Sequence, residues 1–171
     1  MVIAGPRFKT YLRITMALAL LCGCQSPETK RKKQFSTLHV HLEVNRETTE
    51  RTELVPIWRE HPFMVNVQKF PFLNEGNVKQ AMVIDVVGGF VLRLQFDRQG
   101  TWLLEQYTTA NRGRRIAIMS QFGQVRWLAA PKISKPITDG TLVFTPDATR
   151  EEAERIVRGL NNVAKKMQSQ L

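Results

Sequence analysis

The sequence predicts an α+β fold in which two principal helices, at about residues 100–111 and 149–167, pack on one face of a mainly antiparallel sheet. Short apolar runs come in pairs around turn residues, a pattern typical of antiparallel hairpins. Two segments with helical spacing separate these pairs, which favours a mixture of helices and strands. The chain has 171 residues, of which 43% are hydrophobic and 23% are charged. This composition predicts one globular domain, assigned to residues 37–171.

The first part of the domain is predicted to form strands. Residues 38–44 alternate apolar and polar side chains, as a half-buried strand does. A charged connector, residues 45–53, leads to a predicted hairpin with strands at residues 55–58 and 63–67. Because no cysteine follows Cys24, this domain must be stabilised by burial without an internal disulfide.

Turn residues organise the middle of the domain. Apolar runs at residues 82–87 and 90–96 flank Gly88-Gly89, and this is a strong hairpin signal because glycine readily adopts the positive φ of a tight turn. A second hairpin is predicted around Phe122-Gly123-Gln124. The remaining strands are predicted at residues 116–119, 125–129 and 142–144.

Helical spacing appears in three places. Val78 and Ala81 are expected to face inward from one or two helical turns. The helix at residues 100–111 carries apolar side chains at intervals of three and four. The last helix begins near Thr149, which has capping-box spacing to Glu152. Its apolar stripe consists of Ala153, Ile156, Val157, Leu160, Val163, Ala164 and Met167.

The N-terminus has the pattern of a bacterial lipoprotein signal peptide, assigned to residues 1–23. Three basic residues precede an apolar run at residues 14–21, which is too short to span a bilayer. The run ends in Leu21-Cys22-Gly23-Cys24, which resembles the lipobox, with cleavage after Gly23 and lipid attached to Cys24. Acyl chains on that thiol would hold the protein on a membrane. A buried N-terminal helix and a secretory signal cleaved elsewhere stay open as alternatives.

Residues 24–36 are polar and basic and predict a flexible tether. The formal net charge is +10; three of these charges precede Cys24 and three more fall at residues 25–36, which leaves +4 for the rest. Because most of the excess lies outside the domain, it does not favour nucleic acid as a partner. We expect a location in the bacterial cell envelope, facing the periplasm, with the inner and the outer membrane both open.

The sequence shows no catalytic constellation. We find no Ser-His-Asp arrangement, no phosphate-binding glycine loop and no convincing pair of carboxylates, so we expect neither an enzyme nor a cofactor. His39 and His41 share one side of a predicted strand, but the lack of further ligands favours a half-exposed strand face over a metal site. Phe63, Phe70 and Phe72 are spaced around prolines, and at least one of them is expected to be exposed.

Partner binding is expected at two positions rich in arginine. Arg112, Arg114 and Arg115 cluster near a helix C-terminus, where they either oppose the helix dipole or dock an acidic partner or lipid headgroup. Trp127, beside Arg126, is either a peptide-binding anchor or a residue that packs between sheet and helix.

The second half of the chain carries a series of short motifs in a characteristic order. They are Asp97 and Gly100, Thr109, Asn111-Arg112-Gly113-Arg114-Arg115, Ala117-Ile118, Phe122-Gly123, Ala130-Pro131-Lys132-Ile133, Pro136-Ile137, Asp139-Gly140 and Glu151-Glu152-Ala153. This series resembles the head subdomain of the first periplasmic domain of SecD, the protein-export membrane protein that works beside the Sec translocon. Upstream, Pro71-Phe72-Leu73 resembles the start of the segment that introduces this subdomain.

The resemblance implies a stand-alone SecD-head-like domain that binds protein. Its expected partners are exported polypeptides or components of the Sec translocon, together with membrane lipid through Cys24. An envelope scaffold lipoprotein unrelated to export is the alternative. The family couples export to proton flow through membrane-embedded acidic residues, and we do not expect that step here because the sequence has no apolar run of membrane-spanning length.

Overall fold

The computed structural model describes residue 31 and residues 34–45 and 51–169. The predicted signal peptide, the lipidation and cleavage site at Gly23 and Cys24, and most of the predicted tether lie outside these residues. The strands in chain order are β1 (Thr37–Leu42), β2 (Thr52–Ile57), β3 (Phe63–Gln68), β4 (Leu73–Asn74), β5 (Val78–Val86), β6 (Gly89–Phe96), β7 (Ile116–Gln121), β8 (Val125–Ala129) and β9 (Thr141–Phe144). Helix α1 is Arg98–Ala110 and helix α2 is Arg150–Gln168.

The α+β class is confirmed, but the strands form three sheets where the sequence predicted one. The first sheet has the order β4-β1-β7-β8, the second is the hairpin β2-β3, and the third has the order β5-β6-β9. All of these strand pairs are antiparallel. In the first sheet Thr37 pairs with Gln121, far along the chain. Local side-chain patterns do not specify such a distant partner.

One hydrophobic core joins the first and third sheets to both helices. It includes Leu38 and Val40 of β1, Leu92 and Leu94 of β6, Leu104 of α1, and Ile156 and Leu160 of α2, all of them buried. Tyr107 of α1 stacks on Phe72 with the ring centroids 4.2 Å apart. Of the apolar stripe predicted for the last helix, Ala153, Ile156, Val157 and Leu160 face this core, as amphipathic spacing requires, whereas Met167 near the helix end is 46% exposed.

The hairpin β2-β3 covers the other face of the first sheet. Because side chains alternate along a strand, Val40 faces the main core while its neighbour His41 lies on the hairpin side. A second, smaller core consists of Val55, Ile57, Val65, Val67, Ala117 and Ala130, with Trp127 packed against it. The first sheet is thus enclosed on both faces.

Side-chain caps define where the two helices begin. The Asp97 carboxylate accepts a hydrogen bond from the Gly100 amide at 2.7 Å and starts α1 two residues earlier than predicted. Thr149 and Glu152 form the predicted capping box at the start of α2. Such caps supply partners for amide groups that the first helical turn leaves unpaired.

The helical turns predicted for Val78 and Ala81 are wrong. Asn74 and Asn77 close a capping box around one short 3-10 turn, Glu75–Asn77. Val78 then begins β5, and both Val78 and Ala81 are buried from that strand. Val78 and Ala81 are three residues apart, and both can face inward because β5 contains an irregularity between Val78 and Gln80.

The chain enters the domain across the middle of α2. The Gln34 carbonyl accepts a hydrogen bond from Asn162 at 2.8 Å, and the Gln34 side chain accepts one from Arg158 at 3.1 Å. Ser36 is buried against Gly159, and a Cβ added at Gly159 would lie 2.6 Å from the Ser36 nitrogen. Only glycine allows this close approach.

Candidate functional site

An open groove lies between the tip of hairpin β2-β3 and the chain segments that follow β8 and β9. We call it the hairpin groove, and its volume is about 770 Å³. The lining residues are Trp58, Glu60, His61, Phe63, Arg115, Ala129, Ala130, Pro131, Phe144, Thr145 and Asp147. Apolar and aromatic side chains with a few polar groups among them are the usual lining of ligand and peptide sites.

Two half-exposed aromatic residues line the groove. Trp58 is 47% exposed and Phe63 is 36% exposed. Trp58 follows β2 directly and has a φ of 74°, an uncommon conformation for a residue with a side chain. Phe63 begins β3, on the same side of the strand as buried Val65. Large aromatic rings held in this way offer contact area at a low entropic cost.

Asp147 connects the hairpin tip to the far wall of the groove. Its carboxylate accepts a hydrogen bond from the Arg59 amide at 2.9 Å, and the Arg59 Nε lies 3.3 Å from Asp147 Oδ2. The Asp147 amide donates to the Leu128 carbonyl of β8 at 2.7 Å. One residue therefore ties both the hairpin and the segment after β9 to the first sheet.

Arg115 is the predicted partner-binding residue that lines the groove. Its Nη1 donates to the Ala130 carbonyl at 2.9 Å, and its Cζ lies 5.2 Å from the centroid of the Phe63 ring. Its backbone amide donates to the Glu43 carboxylate at 2.6 Å. The cation–π contact holds the Phe63 ring in place and sets a positive charge beside the aromatic lining.

Arg126 does not line the hairpin groove and instead forms a bidentate ion pair with Glu152 of α2. Arg126 Nη2 is 2.7 Å from Glu152 Oε1, and Arg126 Nη1 is 2.9 Å from Glu152 Oε2. These hydrogen bonds lower the pKa of Glu152 from 4.5 to about 2 and raise that of Arg126, while partial burial opposes both shifts. Only 10% of the Arg126 side chain is exposed, so little of it is available to a partner.

Trp127 packs beneath the hairpin, against His41. The two rings meet edge to face with centroids 5.1 Å apart. His41 Nδ1 donates to the Gln68 carbonyl at 2.7 Å, while its buried Nε2 has no hydrogen-bond partner in the part of the chain that the structure describes. Burial lowers the pKa of His41, because a charged ring would lose its hydration there.

The other two predicted arginines follow helix α1. Arg112 donates to the Ser134 carbonyl at 3.3 Å. The Tyr107 carbonyl near the helix end accepts a hydrogen bond from the Asn111 side chain at 2.9 Å. This carbonyl is therefore bound by an asparagine and not by one of the arginines. Arg114 is half-buried, and its amide donates to the Asn111 carbonyl at 3.2 Å. The structure therefore brings Arg115 alone of the five predicted residues into the hairpin groove.

The expected exposure of at least one phenylalanine near the prolines is confirmed. Phe70 is 74% exposed and Phe63 is 36% exposed, while Phe72 is buried. The sequence prediction did not include Trp58 in a site. Its position at the end of the first predicted hairpin strand, residues 55–58, was the signal that could have found it.

The groove offers recognition by shape, aromatic faces and charges of both signs. Among the residues that the structure describes, no group of three His, Cys, Asp or Glu side chains is placed to hold a metal ion. None of the described helices is both long and apolar enough to cross a membrane.

These features define a class: an α+β domain of three antiparallel sheets and two helices with an open, aromatic-lined groove. Residues 52–164, well over half of the chain, match the family model of the SecDF P1 head subdomain. The chain therefore belongs to the family of SecDF P1 head subdomains.

Individual relatives agree with this assignment. The protein translocase subunit SecD of Acidaminococcus fermentans is 39% identical over 72 residues, which cover 42% of this chain and 16% of that protein. A solved structure of SecDF, a membrane component that enhances protein export, matches the fold with a TM-score of 0.56 at 22% identity, over 83% of this chain and 71% of that one. A crystal structure of SecDF in its super-membrane-facing form gives a TM-score of 0.55 at 22% identity, over 80% of this chain and 21% of that one.

Proposed function

We propose that this protein assists protein export by binding unfolded segments of exported polypeptides in the hairpin groove, while lipid on Cys24 holds it at the membrane. The groove is the observation that carries the proposal. Trp58 and Phe63 present half-exposed aromatic faces beside an apolar wall. An unfolded polypeptide exposes the apolar side chains that such a surface can cover. The role requires binding alone, and we propose that the protein is not an enzyme.

The charges around the groove also suit a polypeptide. Arg115 supplies a positive charge, and Glu60 and Asp147 supply negative charges. Asp147 is already engaged by Arg59, and Arg115 is engaged by the Ala130 carbonyl. A groove with both signs of charge favours no strongly anionic or cationic ligand.

Membrane attachment would place the groove where exported chains emerge. The lipobox pattern at Leu21-Cys22-Gly23-Cys24 supports acylation of Cys24. Two or more acyl chains give stable anchoring, whereas one chain gives reversible binding. Family membership supports a position on the periplasmic side of the envelope.

Photocrosslinking in cells tests the proposed binding. A photoreactive phenylalanine analogue replaces Trp58 in the groove, and in a matched variant it replaces Trp102, which is 60% exposed on α1 outside the groove. We expect the analogue at position 58 to crosslink to precursors of exported proteins, and the analogue at position 102 to give little such product.

Two results would contradict the proposal. Equal crosslinking from both positions would show that contact with precursors is nonspecific. Recovery of one folded envelope protein from position 58, with no exported precursors, would favour the scaffold alternative.

A further inference from the structure

One edge of the third sheet is closed by a side chain. Alternate residues of an edge strand direct their amide and carbonyl groups away from the sheet. On β5 the Ala81 amide donates to Asn161 Oδ1 at 2.8 Å, and the Ala81 carbonyl accepts from Asn161 Nδ2 at 3.0 Å. The side-chain amide of Asn161 thus takes the place of a neighbouring strand, and helix α2 packs along the same edge.

Along the opposite edge of this sheet, at Val143 of β9, no described residue provides such a cover. The Gly140 carbonyl, just before β9, accepts a hydrogen bond from the Phe96 amide of β6. Because backbone groups alternate in direction along a strand, Leu142 and Phe144 also direct their amide and carbonyl groups toward β6. The backbone groups of Thr141 and Val143 therefore face away. The Thr141 amide is bound by the Asp139 carboxylate at 3.0 Å. The Val143 amide and carbonyl have no hydrogen-bond partner among the described residues.

This open edge runs directly into the hairpin groove. Phe144 and Thr145, which follow Val143, line the groove. The Val143 side chain is 49% exposed. An extended chain lying along β9 would therefore continue past Thr145 into the groove that contains Trp58 and Phe63.

We propose that an extended segment of the bound polypeptide adds to the third sheet as a fourth strand beside β9, through hydrogen bonds to the Val143 amide and carbonyl. Recognition of the partner's backbone explains how one site accepts many sequences, since every polypeptide carries the same main-chain groups. The groove then receives an apolar side chain of the same segment. The identity of the partner as an exported polypeptide rests on the proposed function.

Val143→Pro tests the strand addition directly. Proline removes the outward amide, and edge strands tolerate proline where the lost donor faces solvent, so pairing with β6 is retained. Val143→Ala is the matched control, because it removes the side chain and keeps the amide. The probe is a fluorescently labelled, reduced and carboxymethylated secretory protein, which stays unfolded, and its binding to the full chain in detergent is measured by fluorescence anisotropy.

We expect Val143→Pro to weaken binding about tenfold, the size of one lost hydrogen bond to the partner, and Val143→Ala to change it less than about threefold. Hydrogen exchange on the unmodified protein gives a second measurement that needs no variant. The Val143 amide should exchange more slowly when the unfolded probe is bound.

Trp58→Ala separates this proposal from the proposed function. If Trp58→Ala weakens binding while Val143→Pro leaves it unchanged and the Val143 amide gains no protection, strand addition is wrong and binding in the groove stands. Such a result would mean that β9 is a short edge strand that merely avoids aggregation. If the unfolded probe does not bind the unmodified protein at all, the proposed function and the strand addition are both wrong.

Discussion

At the residue scale, the contact between Arg126 and Glu152 fixes helix α2 to β8. Both oxygens of the Glu152 carboxylate accept hydrogen bonds from Arg126, and one of them also accepts from the Thr149 amide at 2.8 Å. The side chains are 10% and 18% exposed, so water competes for these bonds only weakly. Charge-assisted bonds in such a setting are stronger than exposed ion pairs.

We therefore predict that Glu152→Gln lowers the free energy of unfolding by about 1–3 kcal/mol at pH 7. Glutamine preserves the capping box, so the change reports on the charge. Because the folded pKa of Glu152 lies near 2 and its ordinary value is 4.5, the stabilisation is complete above pH 4.5 and is lost as the pH falls toward 2.

Urea unfolding between pH 7 and pH 2.5 measures this effect. The unmodified protein should lose more stability over that range than Glu152→Gln does. Glu151→Gln, an exposed change in the same helical turn, serves as the control and should follow the unmodified protein. Parallel pH profiles for the Glu152→Gln variant and the unmodified protein would show that the ion pair contributes nothing.

At the element scale, helix α2 contains a glycine that an isolated helix would not favour. Alanine at such a position normally stabilises a helix by about 1 kcal/mol. Here the backbone of Ser36 crosses the helix at Gly159, and a Cβ at that position would lie 2.6 Å from the Ser36 nitrogen and 2.7 Å from its Cβ. Packing of the entering chain outweighs helix propensity.

Gly159→Ala should therefore destabilise the protein by about 1–3 kcal/mol, the usual range for overpacking a tight contact. Denaturant unfolding measures the change, and Arg155→Ala on the exposed side of α2 should stay within about 0.5 kcal/mol of the unmodified protein. A gain in stability for Gly159→Ala would mean that the segment around Ser36 does not dock on the helix.

The elements that sequence patterns predicted well are those whose signals are local. Gly88-Gly89 defines the β5-β6 hairpin, and the Gly88 φ of 85° shows why glycine stands in that turn. The Thr149 capping box defines the start of α2 in the same way. The short turn before Val78 was misjudged because the pair Asn74 and Asn77 ends it after three residues.

The division of the strands into three sheets could not be predicted from such signals. It depends on which strands meet after the chain has closed loops of many residues, as when β1 pairs with β7. The candidate site shares this dependence. Trp58 and Phe63 are adjacent to a predicted hairpin turn, but other parts of the groove come from distant segments, including the one that carries Asp147, which binds Arg59.

At the scale of the whole molecule, the proposed anchor gives a prediction that does not depend on the groove. Cys24→Ala should block lipid attachment and leave unprocessed precursor, because the signal peptidase for lipoproteins cleaves before an acylated cysteine. Cys22→Ala is the matched control, since alanine is small enough for that lipobox position. Immunoblotting of cell fractions and mass spectrometry of the mature N-terminus measure both variants.

Processing of Cys24→Ala at the normal site, or a mature N-terminus without fatty acid in the unmodified protein, would overturn the anchor. The fold and the family assignment would stand, because the fold is built from Thr37 onward and the family match covers residues 52–164.

The docking of Gln34 across the middle of α2 also sets how far the domain can travel. About ten peptide units separate Cys24 from Gln34, and a fully extended chain of that length covers at most about 35 Å. With lipid on Cys24, that length is the upper limit on the distance between Gln34 and the lipid attachment point. Confinement by this tether would raise the concentration of the groove near emerging chains above its value in free solution, in proportion to the number of anchored copies per membrane area.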